Sequence, residues 1–225
     1  MRLILASASP RRAELLRAAG YEFEIVVADV DERARDGETP AAYVRRLAAE
    51  KSAAVQAALK GCATSDAANI DGAGDGERAA VLVAQPFRAA DAIVLGADTT
   101  VVVDGAILGK PRDDAEAAWM LGRLAGRRHD VLTGVSVRHG AHEVGRVEST
   151  AVWVSALTTE DIAWYVASGE GRDKAGAYAI QGLASRFIPR IDGSYANVVG
   201  LPVAAVAELL RSVLASHPET GYSDV

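Results

Sequence analysis

The stretch 92-AIVLGADTTVVVDGAILGKP-111 decides the fold, because it predicts buried strand, a tight turn and a second strand. Apolar residues run on both sides of Gly96-Ala97-Asp98, where we expect the strand to break, and Asp104-Gly105 is a hairpin turn. A carboxylate inside such an apolar run is costly unless it is paired, hydrated in a cleft or bound to a metal. Asp98 is therefore a candidate functional residue.

Outward from this stretch, short strands alternate with helices. We predict strands at 3–6, 21–27, 131–137 and 144–154, the last two as an antiparallel pair. Helix starts are predicted at Ser9-Pro10, Thr39-Pro40, Asp113, Thr158 and Pro202. Since hairpins occur among the alternating elements, we expect an α/β fold with a mixed sheet.

The predicted elements form a single domain over residues 1–215. Residues 61–90 are rich in Ala, Gly and Asp and show no sustained period, so we expect an inserted flexible loop. Its glycines do not have the spacing of a dinucleotide-binding motif. We expect residues 216–225 to be a disordered tail.

Composition excludes several classes of function. The chain has 225 residues, and 24 Lys+Arg against 30 Asp+Glu give a net charge of −6, which argues against a nucleic-acid binder. The single cysteine, Cys62, cannot form an intrachain disulfide or a cysteine-based zinc site. No apolar run approaches the roughly 18 residues of a membrane helix, and the N-terminus does not resemble a signal peptide. We therefore expect a soluble, cytoplasmic protein.

The turn SASPRR at residues 7–12 is a candidate anion site. The N–H groups at a helix start attract anions, and Arg11 and Arg12 oppose the helix dipole unless an anion is bound. Together with the hydroxyls of Ser7 and Ser9, they form a plausible phosphate cradle. The alternative is a capped helix with two solvated arginines.

Other charged and polar residues complete the candidate set. Lys110 lies across the predicted hairpin from Asp98, within reach of an ion pair in a cleft, although a loop lysine is the simpler interpretation. Lys51 falls on the apolar stripe of its helix, which is unusual for a lysine. In GEGRDKAGAYAIQG, residues 169–182, glycines permit close approach to a ligand and Gln181 offers both a donor and an acceptor to a base. Together these residues suit a nucleotide. The cations would bind its phosphates, the carboxylates would bind Mg²⁺, and the amide would contact its base.

Five ordered motifs resemble the Maf family of nucleoside triphosphate pyrophosphatases. They are SASPRR (7–12), GADT (96–99), LGKP (108–111), DKAGAYAIQG (173–182) and GSYANVVGLP (193–202). The resemblance implies an elongated mixed sheet flanked by helices, with two lobes around a cleft, as in inosine triphosphate pyrophosphatases. It also implies one catalytic domain, hydrolysis of a nucleoside triphosphate to the monophosphate and pyrophosphate, a divalent cation (Mg²⁺ or Mn²⁺), and a homodimer.

The resemblance also implies roles for individual residues. Asp98 corresponds to the proton acceptor that activates water, with Lys51 and Lys110 beside the phosphates. Substrate selection falls to Arg11, Thr99 and Gln181, and phosphate binding to Ser7 and Arg12. Metal binding falls to Asp98 with Glu32 or Asp31.

The segment around Gln181 resembles the subgroup that prefers dTTP and UTP, with modified pyrimidine nucleotides also open as substrates. Two alternatives remain. One is a pyrophosphatase for 7-methyl-GTP or another modified purine nucleotide. The other is a protein that binds nucleotide and regulates septum formation without turnover.

Overall fold

The computed structural model describes residues 2–65 and 92–216. The strands are β1 (Arg2–Ala6), β2 (Glu24–Ile25), β3 (Ala92–Val103), β4 (Ala106–Leu108), β5 (Arg128–His139), β6 (His142–Trp153) and β7 (Arg190–Asp192). The helices are α1 (Pro10–Ala18), α2 (Pro40–Ser65), α3 (Asp114–Leu124), α4 (Thr159–Ala167), α5 (Tyr195–Val199) and α6 (Val203–Ala215). Short 3₁₀ segments lie at Ala175–Ala177 and Leu183–Phe187. No helix in the described ranges is long and apolar enough to cross a bilayer.

These strands form one mixed sheet in the order β2-β1-β3-β5-β6-β7, with β4 also paired to β3. β1 pairs in parallel with β2 and β3, whereas the β3–β5, β5–β6 and β6–β7 pairs are antiparallel. In the β3–β5 pair, Asp98 lies opposite Gly134 and Gly96 opposite Ser136. The predicted α/β class with a mixed, helix-flanked sheet is confirmed.

The apolar core changes partners along β3. Ile93, Leu95 and Ala97 pack with α1 and α6, while Ala92 and Val94, on the other face, pack with α2. Beyond Asp98, the core residues of β3 pack with α3 and α4 instead. Since side chains alternate between faces of a strand, Asp98 shares the α2 face with Gly96, and Thr99 faces the opposite side. The segment of β3 around Asp98 therefore lies where one part of the apolar core ends and the next begins.

Several local predictions are confirmed. Asp104 and Gly105 both have positive φ and turn β3 into β4. Thr158 and Asp161 form the reciprocal capping box at the start of α4. Asp113 caps α3 by accepting a hydrogen bond from the Glu116 N–H.

Other local predictions are wrong. β3 is continuous through Gly96-Ala97-Asp98, because every residue from 93 to 102 pairs with β5. The predicted strand at 21–27 is ordered as a strand only over Glu24–Ile25. Helix α2 continues to Ser65, so the first five residues of the predicted 61–90 loop are helical. The rest of that loop and the tail after residue 216 lie outside the described residues.

Candidate active site

One cavity of about 460 Å³ opens at the carboxyl end of β1, beside the middle of β3. Nine of the candidate residues from the sequence line it: Ser7, Arg11, Arg12, Glu32, Lys51, Asp98, Thr99, Lys110 and Gln181. Asp31 is not among its lining residues, and its carboxylate pairs with Arg33 at 2.6 Å. Of the two carboxylates considered for metal binding, the structure therefore places Glu32 in the cavity.

The centre of the cavity is a lysine held between two carboxylates. Lys51 Nζ lies 2.6 Å from Asp98 Oδ1 and 2.7 Å from Glu32 Oε1. Lys51 and Asp98 are buried, each 8% exposed, while the side chain of Glu32 is half exposed. An ion pair with this little solvent is far more sensitive to geometry than a surface pair.

Two glycines bring Lys51 this close to Asp98. A Cβ added at Gly96 would overlap the carbonyl oxygen of Ala48 in α2, and one at Gly134 would overlap that of Val44. The backbone of α2 thus rests directly on β3 and β5, with no side chain between them. The sequence pattern had indicated a strand break at Gly96, whereas the structure shows a helix contact.

Tyr43 places Glu32, a role that the sequence analysis missed. Its hydroxyl donates to the Glu32 carbonyl oxygen at 2.9 Å, and its side chain lines the cavity. Burial, helped by the charges of Asp98 and Glu32, raises the pKa of Tyr43 to about 12, so it remains a donor. The signal available in the sequence was an aromatic residue in the first turn of α2.

The charge of Glu32 is maintained by its surroundings. Burial on its own raises the pKa of Glu32, but the hydrogen bond and charge of Lys51, with the charge of Lys110, outweigh it. The net effect holds the pKa of Glu32 below its ordinary value. This carboxylate is therefore ionised at neutral pH.

Arg12 is held mainly by hydrogen bonds to other parts of the protein. Its guanidinium donates to the carbonyls of Gly200 and Ala97, both at 2.8 Å, and to the hydroxyls of Ser7 and Thr99, both at 3.1 Å. Four of its five N–H groups thus bind protein atoms. Burial lowers the pKa of Arg12, and the charge of Asp98 opposes that shift.

The remaining cations differ in how far they are engaged. Arg11 pairs with Asp173 at 3.3 Å, and Lys174 pairs with the same carboxylate at 2.6 Å. Lys110 is exposed and has no ion pair within residues 2–65 and 92–216, so the expected pair with Asp98 is replaced by Lys51. A hydrogen bond of 3.0 Å from the Gly176 N–H to the carbonyl of Gly109, next to Lys110, joins this segment to the 169–182 loop.

The donor set fits a divalent cation that shares its ligands with a phosphate. Among the described residues, no group of three or more His, Cys, Asp or Glu side chains is placed to hold a metal ion by itself. However, Asp98 and Glu32 already converge on one cationic group, the Lys51 ammonium. Mg²⁺ is commonly held by one or two carboxylates, with water and substrate phosphates completing its shell.

Comparison with known proteins shows the family of this chain. The family described as Maf-like protein matches residues 2–213. A dTTP/UTP pyrophosphatase of Symbiobacterium thermophilum is 48% identical over 208 residues, covering 92% of each chain. Another of Vibrio cholerae is 45% identical over 212 residues, covering 93% of this chain and 97% of the relative. A third, of an Anaeromyxobacter species, is 45% identical over 222 residues, covering 96% and 91%.

Proposed function

This chain belongs to the Maf family, and from that membership we propose that it hydrolyses dTTP and UTP to the monophosphate and pyrophosphate. The observation that carries the proposal is the Asp98–Lys51 pair, 2.6 Å apart, in a cavity that four other cationic side chains line. They are Arg11, Arg12, Lys110 and Lys174. A triphosphate supplies the negative charge that such a cavity lacks.

Asp98 is the base in this mechanism. Lys51 holds its Oδ1, so we assign Oδ2 to the attacking water. The water oxygen bonds to the α-phosphorus, and its proton passes to Asp98. The bond from that phosphorus to the α–β bridging oxygen breaks, and pyrophosphate leaves with the bonding electrons.

The cations stabilise the charge that develops on the departing pyrophosphate. Lys110 is available to a ligand because it is exposed and lines the cavity. Lys51 also pairs with Glu32, so it does not depend on Asp98 alone. It can therefore stay with Asp98 or turn to a phosphate oxygen. We assign Arg12 and Ser7 to shaping the wall more than to gripping phosphate, since most N–H groups of Arg12 are already engaged.

A divalent cation, Mg²⁺ or Mn²⁺, is part of the proposal. Asp98 and Glu32 would hold it, and when bound it would neutralise phosphate oxygens. We also propose a homodimer, which the family resemblance supports. Light scattering of the purified protein tests that assembly.

The decisive experiment is a substrate panel read by ³¹P NMR. Purified protein with Mg²⁺ or Mn²⁺ is given dTTP, UTP, modified pyrimidine nucleotides, CTP, GTP and 7-methyl-GTP. Pyrophosphate with dTMP or UMP is the expected product. Orthophosphate with a diphosphate would overturn the assigned bond, faster turnover of 7-methyl-GTP would overturn the base assignment, and binding without turnover would favour the regulator.

A further inference from the structure

Two side chains outside the cavity hold the loop at residues 178–183, which we call the Gln181 loop. The hydroxyl of Tyr165 donates to Glu170 Oε2 at 2.7 Å and accepts a hydrogen bond from the Ala179 N–H at 3.1 Å. Glu170 Oε1 accepts one from the Leu183 N–H at 2.9 Å. The loop is therefore tied two residues before and two residues after Gln181.

The Tyr165–Glu170 pair is itself fixed in place. Tyr165 is 1% exposed and packs in the core with α3, and its ring meets Phe187 edge to face. Burial, with the hydrogen bond to Glu170, raises the pKa of the Tyr165 hydroxyl, so it remains a donor at neutral pH. On the loop side, a Cβ at Gly182 would overlap the Glu170 carboxylate, so a side chain there would displace that carboxylate.

The backbone leading into the loop is equally constrained. Gly176 and Ala177 both adopt positive φ, and a Cβ at Gly171 would overlap the Ala177 carbonyl oxygen. The Lys174 ammonium donates to the Glu170 carbonyl at 2.6 Å. These contacts tie residues 170–183 together, and Gln181 is exposed within them and lines the cavity.

From these contacts we infer that Tyr165 and Glu170 are positioning residues for base selection, acting through Gln181. The inference rests on the proposed function and explains how the preference for particular bases arises. Uracil and thymine present an acceptor at O4, whereas cytosine presents a donor at N4. A side-chain amide discriminates between them only if its oxygen and nitrogen are held in place, since a displacement of about 1 Å can cost roughly 100-fold.

The test compares Tyr165→Phe with Thr158→Ala. Tyr165→Phe removes one oxygen, so the Ala179 N–H loses its acceptor and Glu170 loses a donor, while the ring stays packed. Thr158→Ala weakens the capping box of the same helix and touches neither the loop nor the cavity. We expect the ratio of kcat/KM for dTTP over CTP to fall roughly tenfold in Tyr165→Phe, mainly through KM for dTTP. The ratio should be unchanged in Thr158→Ala.

Glu170→Ala and Glu170→Gln provide a second route if Tyr165→Phe does not fold. Glu170→Ala should lower the ratio, and Glu170→Gln should lower it less, because an amide oxygen can still accept from the Leu183 N–H. Amide hydrogen exchange, measured without substrate, should show faster exchange at Ala179 in Tyr165→Phe and at Leu183 in Glu170→Ala.

The outcomes separate the inference from the function it rests on. If the wild type releases no pyrophosphate from dTTP or UTP, the proposed function fails, whatever the exchange rates show. If the wild type is active and the variants keep its dTTP-to-CTP ratio, the positioning role is overturned and the function stands. An equal change of ratio in Thr158→Ala would also overturn it, because the effect would then follow stability alone.

Discussion

Asp98 and Lys51 lie within a long strand and a long helix, whereas Gln181 lies on a loop with no regular structure of its own. The first pair is placed by backbone contact, at glycines where α2 rests on the sheet. The loop is placed by side chains that reach its backbone, such as Tyr165 and Glu170. The cavity therefore has two sides. The sheet side, with Asp98 and Lys51, is placed by backbone contacts. The loop side, with Gln181, is placed by hydrogen bonds from side chains, which substitutions can change.

This difference suits the two tasks. The position of a base and its lysine relative to a phosphorus atom is the same for every nucleotide, so it can be built into the sheet. The recognition of a base differs among substrates, and a loop can be altered without disturbing the core. Changes on the sheet side should therefore reduce turnover of every nucleotide, and changes on the loop side should alter the order of preference.

The largest expected effect is that of Asp98→Asn. The variant keeps the shape of the side chain and removes the proton acceptor, while Glu32 still neutralises Lys51. We expect kcat to fall by about 10²–10⁴-fold for dTTP and UTP alike, with the melting temperature little changed. Asp114→Asn, at an exposed carboxylate paired with Arg172, is the matched control and should retain activity. Undiminished pyrophosphate release from Asp98→Asn would remove Asp98 from the mechanism.

Gly96→Ala tests the sheet side without altering a charged group. The added methyl overlaps the Ala48 carbonyl and lies 2.9 Å from the Ser52 N atom, so α2 has to move away and carry Lys51 with it. We expect a loss of about 1–3 kcal/mol in the free energy of unfolding. For all nucleotides, kcat/KM should fall by up to roughly 100-fold.

Gly122→Ala is the control for that substitution. It adds the same methyl to a helix where nothing lies within 4 Å, so stability should be equal or slightly higher. If Gly96→Ala matched Gly122→Ala in both stability and activity, the direct packing of α2 on β3 would not be what sets the Lys51–Asp98 distance.

The sequence predicted the fold class and the residues that line the cavity better than it predicted the contacts that hold those residues in place. Asp98, Lys51 and the SASPRR turn stand out because charge in those places is unfavourable unless a ligand or partner is present. Gly96 was misread, since periodicity along a strand carries no information about a helix backbone lying across it. The bracing role of Arg12 was likewise hidden, because its acceptors at Ala97 and Gly200 come from distant segments.

On the loop side, His129 should make stability depend on pH. Its Nε2 is 2.8 Å from the hydroxyl of Tyr178, which begins the Gln181 loop, and burial lowers the pKa of His129 to about 4. Its ordinary value is 6.5, so between pH 6.5 and 4 the unfolded chain binds a proton that the folded chain does not. Stability therefore falls as pH decreases through this window, by roughly 3 kcal/mol in total.

Urea unfolding of the wild type and His129→Gln at pH 7, 5.5 and 4 measures that contribution. The variant keeps a hydrogen-bonding side chain but cannot titrate, so its stability should fall less over the same interval. The difference between the two proteins isolates His129 from the carboxylates that also titrate there. Parallel curves would show that His129 is not held neutral.

The smallest effect is expected for Tyr43→Phe, which removes one hydrogen bond from the sheet side. The Glu32 carbonyl loses its donor, and the ring keeps its place over Arg46. A hydrogen bond of this kind contributes about 1 kcal/mol, so the Mg²⁺ concentration for half-maximal activity should rise about fivefold. The order of nucleotide preference should not change, since the loop is untouched.

Thr39→Ala is the control for Tyr43→Phe. It removes a hydroxyl from the same end of α2, where that hydroxyl accepts a hydrogen bond from the Ala42 N–H, and it should leave the Mg²⁺ dependence unaltered. A shift in base preference with constant Mg²⁺ dependence would contradict the division, because it would place Tyr43 functionally with Gln181.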